Sequence, residues 1–363
     1  MVRAPGYVNT ARGTFIYKPL TFISNISIII IEVIDNQIKE YIMSHEIDMS
    51  RGVPAIAYVG DKPWHSLGAE LQQGASIEEW TKAAQMDWEV KGSSVLYEVG
   101  GGNVNTFVGQ QVLFRSDTHK PLSVVSDDFK VVQPKEVLEF FRDLVEIYDM
   151  KLSVAGVLFN GKRFWATAET GRVAEIIPGD EVRGQLVLMT GVDGTLATSA
   201  KFVSTRVVCN NTLQIAMNET GARQARRTHR QTFDAREVKL DLGLLDNSWS
   251  NYVESMQRLT TVKMSDDKAF AFFKELVGKE KEQAEDAEVS RATIRTVDDL
   301  MQRLRHGLGA DMGRGTAWNV LNAVTEKYTH GTARRDSNRQ FVNSLYGADA
   351  TMKTKAMDML LAA

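Results

Sequence analysis

Apolar positions at helical spacing first stand out in "SIEEWTKAAQMDWEV". Here Ile77, Trp80, Ala84 and Trp88 share one face, and Ser76 stands three residues before Glu79, the spacing of a capping box. A short helix is expected there. The period then drops to that of strands: "SSVLYEV", "NTFVGQQVLFRSD" and "PLSVVSDDFKVV", separated by "GGGN" and "SDTHKP", predict a meander of antiparallel strands. "QPKEVLEFFRDLVEIYD" returns to helical spacing, with Val137, Phe140, Phe141, Leu144 and Val145 on one face behind Pro134. In "KLSVAGVLFNGKRFWATAET" the pair Asn160-Gly161 divides two apolar runs, a strong hairpin signal. A further strand, "GQLVLMTGVDG", turns into "TLATSAKFVSTRVV". From about residue 240 the patterns are helical: "NSWSNYVESMQRLTTV", "SDDKAFAFFKELV", "TVDDLMQRLRHGL", "GTAWNVLNAVTEKYTH" and "ATMKTKAMDMLLAA".

These elements predict an α+β fold. A largely antiparallel sheet with packed helices occupies residues 43–240, and a mainly helical region follows over 241–363. The apolar run "PLTFISNISIIIIEVI" near the start reaches only from Leu20 to Ile34 and is broken by Asn25 and Glu32, whereas a spanning helix needs about 20 mostly apolar residues. Residues 1–42 are therefore expected to be an extension outside the functional core, with no membrane anchor.

Composition narrows the function classes. With 43% hydrophobic and 25% charged residues the chain is globular, and a net charge of -3 leaves any nucleic-acid contact to a local basic patch. The single cysteine, Cys209, excludes an internal disulfide framework and fits a reducing cytoplasm; beside Val207 and Val208 it reads as a small buried hydrophobe. The histidines form no HxH or HxxxH pair, no P-loop occurs, and there is no Gly-x-Ser-x-Gly elbow. The expectation is accordingly a protein without catalytic residues, metal or cofactor. Asp127-Asp128 and Asp266-Asp267 sit where turns or helix starts account for them.

One stretch does point to chemistry. From Thr220 to Arg236 there are five arginines against a single acid, Asp234. If the segment is helical, Arg223, Arg226, Arg227 and Arg230 fall on one face, matched by spacing to a phosphate backbone that arginine's planar fork can grip. Lys201 and Arg206, just upstream, would add phosphate contacts. Asn210 and Asn211 read as a helix cap that could also offer donors to phosphate, with Leu213 packed below. Trp64, in "GDKPWHSLG", reads as a base-stacking platform on an exposed loop. Against this stands a basic segment that is merely solvated or paired within the chain, or that docks on an acidic protein.

Taken together, "PWHSLG", "SDDFKVVQPKEVLEFF", "GKRFWATA", "STRVVCNNTL", "GTAWNVLNAVTEKYTH" and "NRQFVNSLYG" resemble a family of phage- and plasmid-type proteins known as domain-of-unknown-function family 932, over about Met43 to the C-terminus. The resemblance implies a bacterial mobile-element setting and brings no catalytic residues with it. At the level of fold, the strand meander followed by a helix looks like phage single-strand annealing proteins, which form oligomeric rings around DNA. The expected function is a cytoplasmic DNA-binding protein that binds or anneals single strands in replication or recombination, as a homo-oligomer or ring. The competing expectation is a non-enzymatic interaction protein that counteracts a host defence or regulatory factor.

Overall fold

Helix caps and turn residues divide the chain much as the periodicity predicts. The computed structural model describes residues 47–60, 67–208, 211–214, 225–230, 245–278, 289–331 and 337–362. Its strands are β1 (Ile56–Tyr58), β2 (Ala69–Glu70), β3 (Val90–Glu98), β4 (Val104–Arg115), β5 (Pro121–Ser126), β6 (Lys151–Leu158), β7 (Arg163–Ile177), β8 (Asp180–Gly191), β9 (Thr198–Arg206), β10 (Asn211–Gln214) and β11 (Ala225–Arg227). Its helices are α1 (Ile77–Ala83), α2 (Pro134–Tyr148), α3 (Leu245–Thr261), α4 (Asp266–Val277), α5 (Arg291–His306), α6 (Ala317–His330), α7 (Ser337–Tyr346) and α8 (Ala348–Ala362). The fold is α+β, with a helical C-terminal region.

Local chemistry explains the boundaries. Ser76 caps α1 by accepting from the Glu79 amide at 3.2 Å, and the Glu79 carboxylate accepts from the Ser76 amide at 2.7 Å. Pro134 opens α2, and Asp149 closes it in the left-handed region. Ser265, Ser290 and Thr316 cap α4, α5 and α6, while Asp266 and Asp267 lie in the first turn of α4, where carboxylates meet the positive helix end. The connection from β6 to β7 is the short turn Phe159–Gly161, with φ of 56° at Asn160 and 98° at Gly161, so the Asn-Gly pair supplies the backbone that the turn requires.

The larger sheet runs β10-β9-β8-β7-β6-β1-β2, with β11 also on β9; β1 and β2 are parallel and the other pairs antiparallel. The smaller sheet is the predicted meander β3-β4-β5. Alternation along β8 and β9 shows how the large sheet is covered. Leu186, Leu188, Ala200 and Phe202 join a core shared with α2, α3 and α6, including Phe140, Phe141, Trp249, Tyr252 and Trp318. Val187 and Val203 face the other way, against Leu345 of α7. The sheet is therefore buried on both faces around β9, and one core runs from the strands into the C-terminal helices. Among the described residues no helix is long and apolar enough to cross a membrane.

Candidate nucleic-acid interface

Strand β9 has one flank on β8, and its other flank is the place where the arginine stretch returns to the sheet. Asn211–Gln214 pair with Arg206–Val203, and Ala225–Arg227 pair with Ala200–Thr198, so β10 and β11 lie in succession along the same edge. This corrects the helical expectation at residues 225–227. The main-chain N–H and C=O groups on the flank of a buried strand need partners, and pairing there outweighs the helical spacing of the arginines. Successive strand residues point to opposite faces, so Arg226 and Arg227 diverge and cannot join one guanidinium face. Asn211 likewise begins a strand and does not cap a helix, although Leu213 is buried as expected. Arg223, Asn210 and Trp64 lie outside the described residues.

The segment after β11 is pinned by His229. Its ring nitrogens lie 2.9 Å from the Lys130 carbonyl and 3.1 Å from the Leu196 carbonyl, the ring stacks on Phe129 at 4.3 Å, and its own carbonyl accepts from the Lys130 amide at 2.6 Å. This clamp carries Arg230 next to it and sets Lys130 nearby. Arg226, Arg230 and Lys130 are exposed, and Arg227 is half-buried, with Nη1 donating to the Arg226 carbonyl at 3.2 Å. Among the described residues neither Arg226 nor Arg230 has an ion-pair partner. The exposed Asp127 and Asp128 stand just before Phe129, in a turn, and temper the local positive charge.

Two further cations assigned to phosphate are inside the protein. Lys201 is 5% exposed. It projects towards α7, where its Nζ donates to the Leu345 carbonyl at 2.5 Å and lies 4.1 Å from the Tyr346 ring centre. Arg206, on the opposite face of β9, donates from Nε and Nη2 to the two oxygens of Asp180 at 2.6 and 2.7 Å. Trp318 Nε1 donates to the same carboxylate at 2.8 Å, and the Gly309 carbonyl accepts from Arg206 at 3.0 Å. Both side chains are enclosed because helices cover both faces of β9, a circumstance that the run "KFVSTR" does not display.

The Lys201 site has a companion absent from the expectations. Lys353 of α8 is 2% exposed and donates to Thr212 Oγ1 at 3.0 Å and Thr329 Oγ1 at 3.2 Å. Burial pushes its ammonium down to about 7, with the positive charge of Lys201 adding to that effect and Asp349 opposing it. Burial alone lowers Lys201 to about 8. A cavity of about 10 Å³, the room of a single water, lies between Arg206, Ser204, Tyr252 and Asn322 and is too small for a substrate. Among the described residues no cluster of three or more His, Cys, Asp and Glu side chains could hold a metal ion.

A sequence signal for these buried groups is faint. Asp180 follows Pro178-Gly179 and reads as a turn residue, and Lys353 occupies an ordinary helical position in "ATMKTKAMDMLLAA". His229 was visible only as one more polar residue among arginines. In comparison with known proteins, the family model described as "Domain of unknown function (DUF932)" matches residues 121–348, the larger part of the chain. The segment "PWHSLG" falls before that span. No curated protein and no solved structure matches the chain.

Proposed function

Since the chain belongs to the DUF932 family, whose description assigns no activity, we propose from its own residues that it is a DNA-binding protein. In this reading it acts in the bacterial cytoplasm in phage or plasmid replication or recombination, and prefers single strands. The observation that carries it is the row of surface cations along the β9 edge. Arg226 and Arg230 are exposed without ion-pair partners among the described residues, and His229 holds the segment rigidly. Fixed, unpaired guanidinium groups are suited to phosphate oxygens, which they can hold bidentately. The preference for single strands is supported by the order of the β3-β4-β5 meander and α2, the arrangement behind the likeness to annealing proteins.

Fluorescence anisotropy with single- and double-stranded oligonucleotides across a salt series tests the reading. Replacing Arg226, Arg227 and Arg230 with Gln should weaken binding to all sequences and reduce the slope of log K against log salt by roughly 0.7 per lost single-strand contact. Binding with an unchanged slope in the folded triple variant would remove the arginines from the interface. Salt-insensitive retention of a host protein, with no DNA binding, would favour the non-enzymatic interaction protein instead.

A further inference from the structure

The smaller sheet contains the opposite anomaly to the buried cations. From Ser93 to Gln110 every residue is exposed except the half-buried Val95, so the hairpin of β3 and β4 stands away from the body on both faces. Its side chains are nevertheless apolar: Leu96 is 61% exposed, Phe107 49% and Val108 87%, and Tyr97 packs only edge-on to Phe107 at 6.5 Å. Between Gly92 and Phe114 the only charged residue is Glu98. Natural edge strands are ordinarily guarded by lysine, proline, a bulge or a covering element; among the described residues this one has only the irregularity between Ser94 and Val95. Strand β5 pairs with β4 only over Gln110–Phe114, so among the described residues the outer edge of Val104–Val108 has no strand beside it.

We propose that this hairpin is an arm through which two copies of the chain associate, by antiparallel pairing of their Val104–Val108 edges. The edge suits itself. In a pairing centred on Thr106, the two Thr106 residues face each other, Asn105 of one copy faces Phe107 of the other and Val104 faces Val108, which is the self-complementary arrangement of a two-fold interface. The two Glu98 carboxylates then sit on the outermost strands, three strand spacings or about 14 Å apart laterally and displaced further along the strands, where they do not oppose pairing. A polyanion finds no lysine or arginine on the arm, and a charged protein finds no pattern to select it. Because two hairpin tips bury less than the roughly 800 Å² per partner of a standard interface, the association is reversible and concentration-dependent. It is independent of DNA binding.

Sedimentation velocity of the full chain over a micromolar concentration series reads this directly. The wild type should pass from monomer to dimer, and Thr106→Lys, which places two cations near the axis, should weaken dimerisation roughly tenfold or more with the thermal midpoint unchanged. Asn105→Asp, a change of similar volume, should do the same and serves if the lysine variant misfolds. A wild type that stays monomeric throughout overturns the proposal, as does a dimer that is equally strong in the folded variants. If Phe107→Ala loses affinity for single-stranded DNA while self-association persists unchanged, the arm is a base-stacking platform and the pairing is likewise overturned.

Discussion

Strands β8 and β9 and the distal hairpin of β3 and β4 are both β-rich stretches, yet they place their residues in opposite ways. In β9 the charged side chains Lys201 and Arg206 are buried; in the hairpin Leu96, Phe107 and Val108 are exposed. The difference lies in what covers each sheet. The large sheet around β9 has core-forming helices on one face and α7 on the other, so any residue there is enclosed whatever its polarity. Among the described residues no layer covers the hairpin tip. Residue type alone is therefore a poor guide to surface in this molecule, and among the described residues of this region cations that reach solvent, such as Arg226, Arg230 and Lys130, lie outside the double cover.

Breaking the covered side should have the largest effect. Asp180→Ala leaves Arg206 buried without its carboxylate and should destabilise the fold by about 3–5 kcal/mol, read as a lowered urea midpoint. A loss within the range of ordinary surface substitutions would mean that Arg206 reaches solvent after all. Asp180→Asn, which keeps an acceptor for Trp318, should fall between the two.

The buried lysines offer a smaller and pH-dependent effect. Lys353 titrates at about 7 in the fold and Lys201 at about 8, against an ordinary 10.5 in the unfolded chain. Above those folded values and up to about 10.5 the unfolded chain holds more protons, so unfolding free energy should rise with pH through that window. Below about 7 both states are protonated and the lysines contribute no slope. Lys353→Met should flatten the rise between pH 7 and 10 in urea titrations made at each pH. A slope identical to wild type would show that the ammonium is solvated.

On the uncovered side almost nothing should change. Phe107→Ser, measured at a concentration low enough to keep the chain monomeric, should alter stability by less than about 0.5 kcal/mol, because the ring already faces water. A large loss of thermal stability would mean that the hairpin packs on the body, and the contrast between the two regions would fail.

Much of the fold was legible because it depends on neighbours in the chain. Ser76 and Glu79, Pro134 and Asn160-Gly161 act through hydrogen bonds and dihedral preferences that span a few residues, and each does what its spacing implies. The arginine stretch was legible in charge and misread in shape. Helical spacing of Arg226 and Arg227 is a local pattern, whereas the demand that made them a strand came from the free flank of β9. Asp180 and Trp318 escaped notice altogether, since they lie 138 residues apart and meet only across the packed core.

What the amino-acid sequence determined by itself is most of the elements, β10 and β11 excepted: their periods, caps and turns, the α+β class, and the surplus of positive charge after residue 220. These follow from short-range sterics and hydrogen bonding, which act within a turn or a hairpin. Tertiary structure alone decided which charges reach solvent. It buried Lys201, Arg206 and Lys353 by setting helices against both faces and the edge of one sheet, and it left the apolar hairpin bare by giving it no layer to pack on. Burial depends on what arrives from elsewhere in the chain, and no local pattern records that.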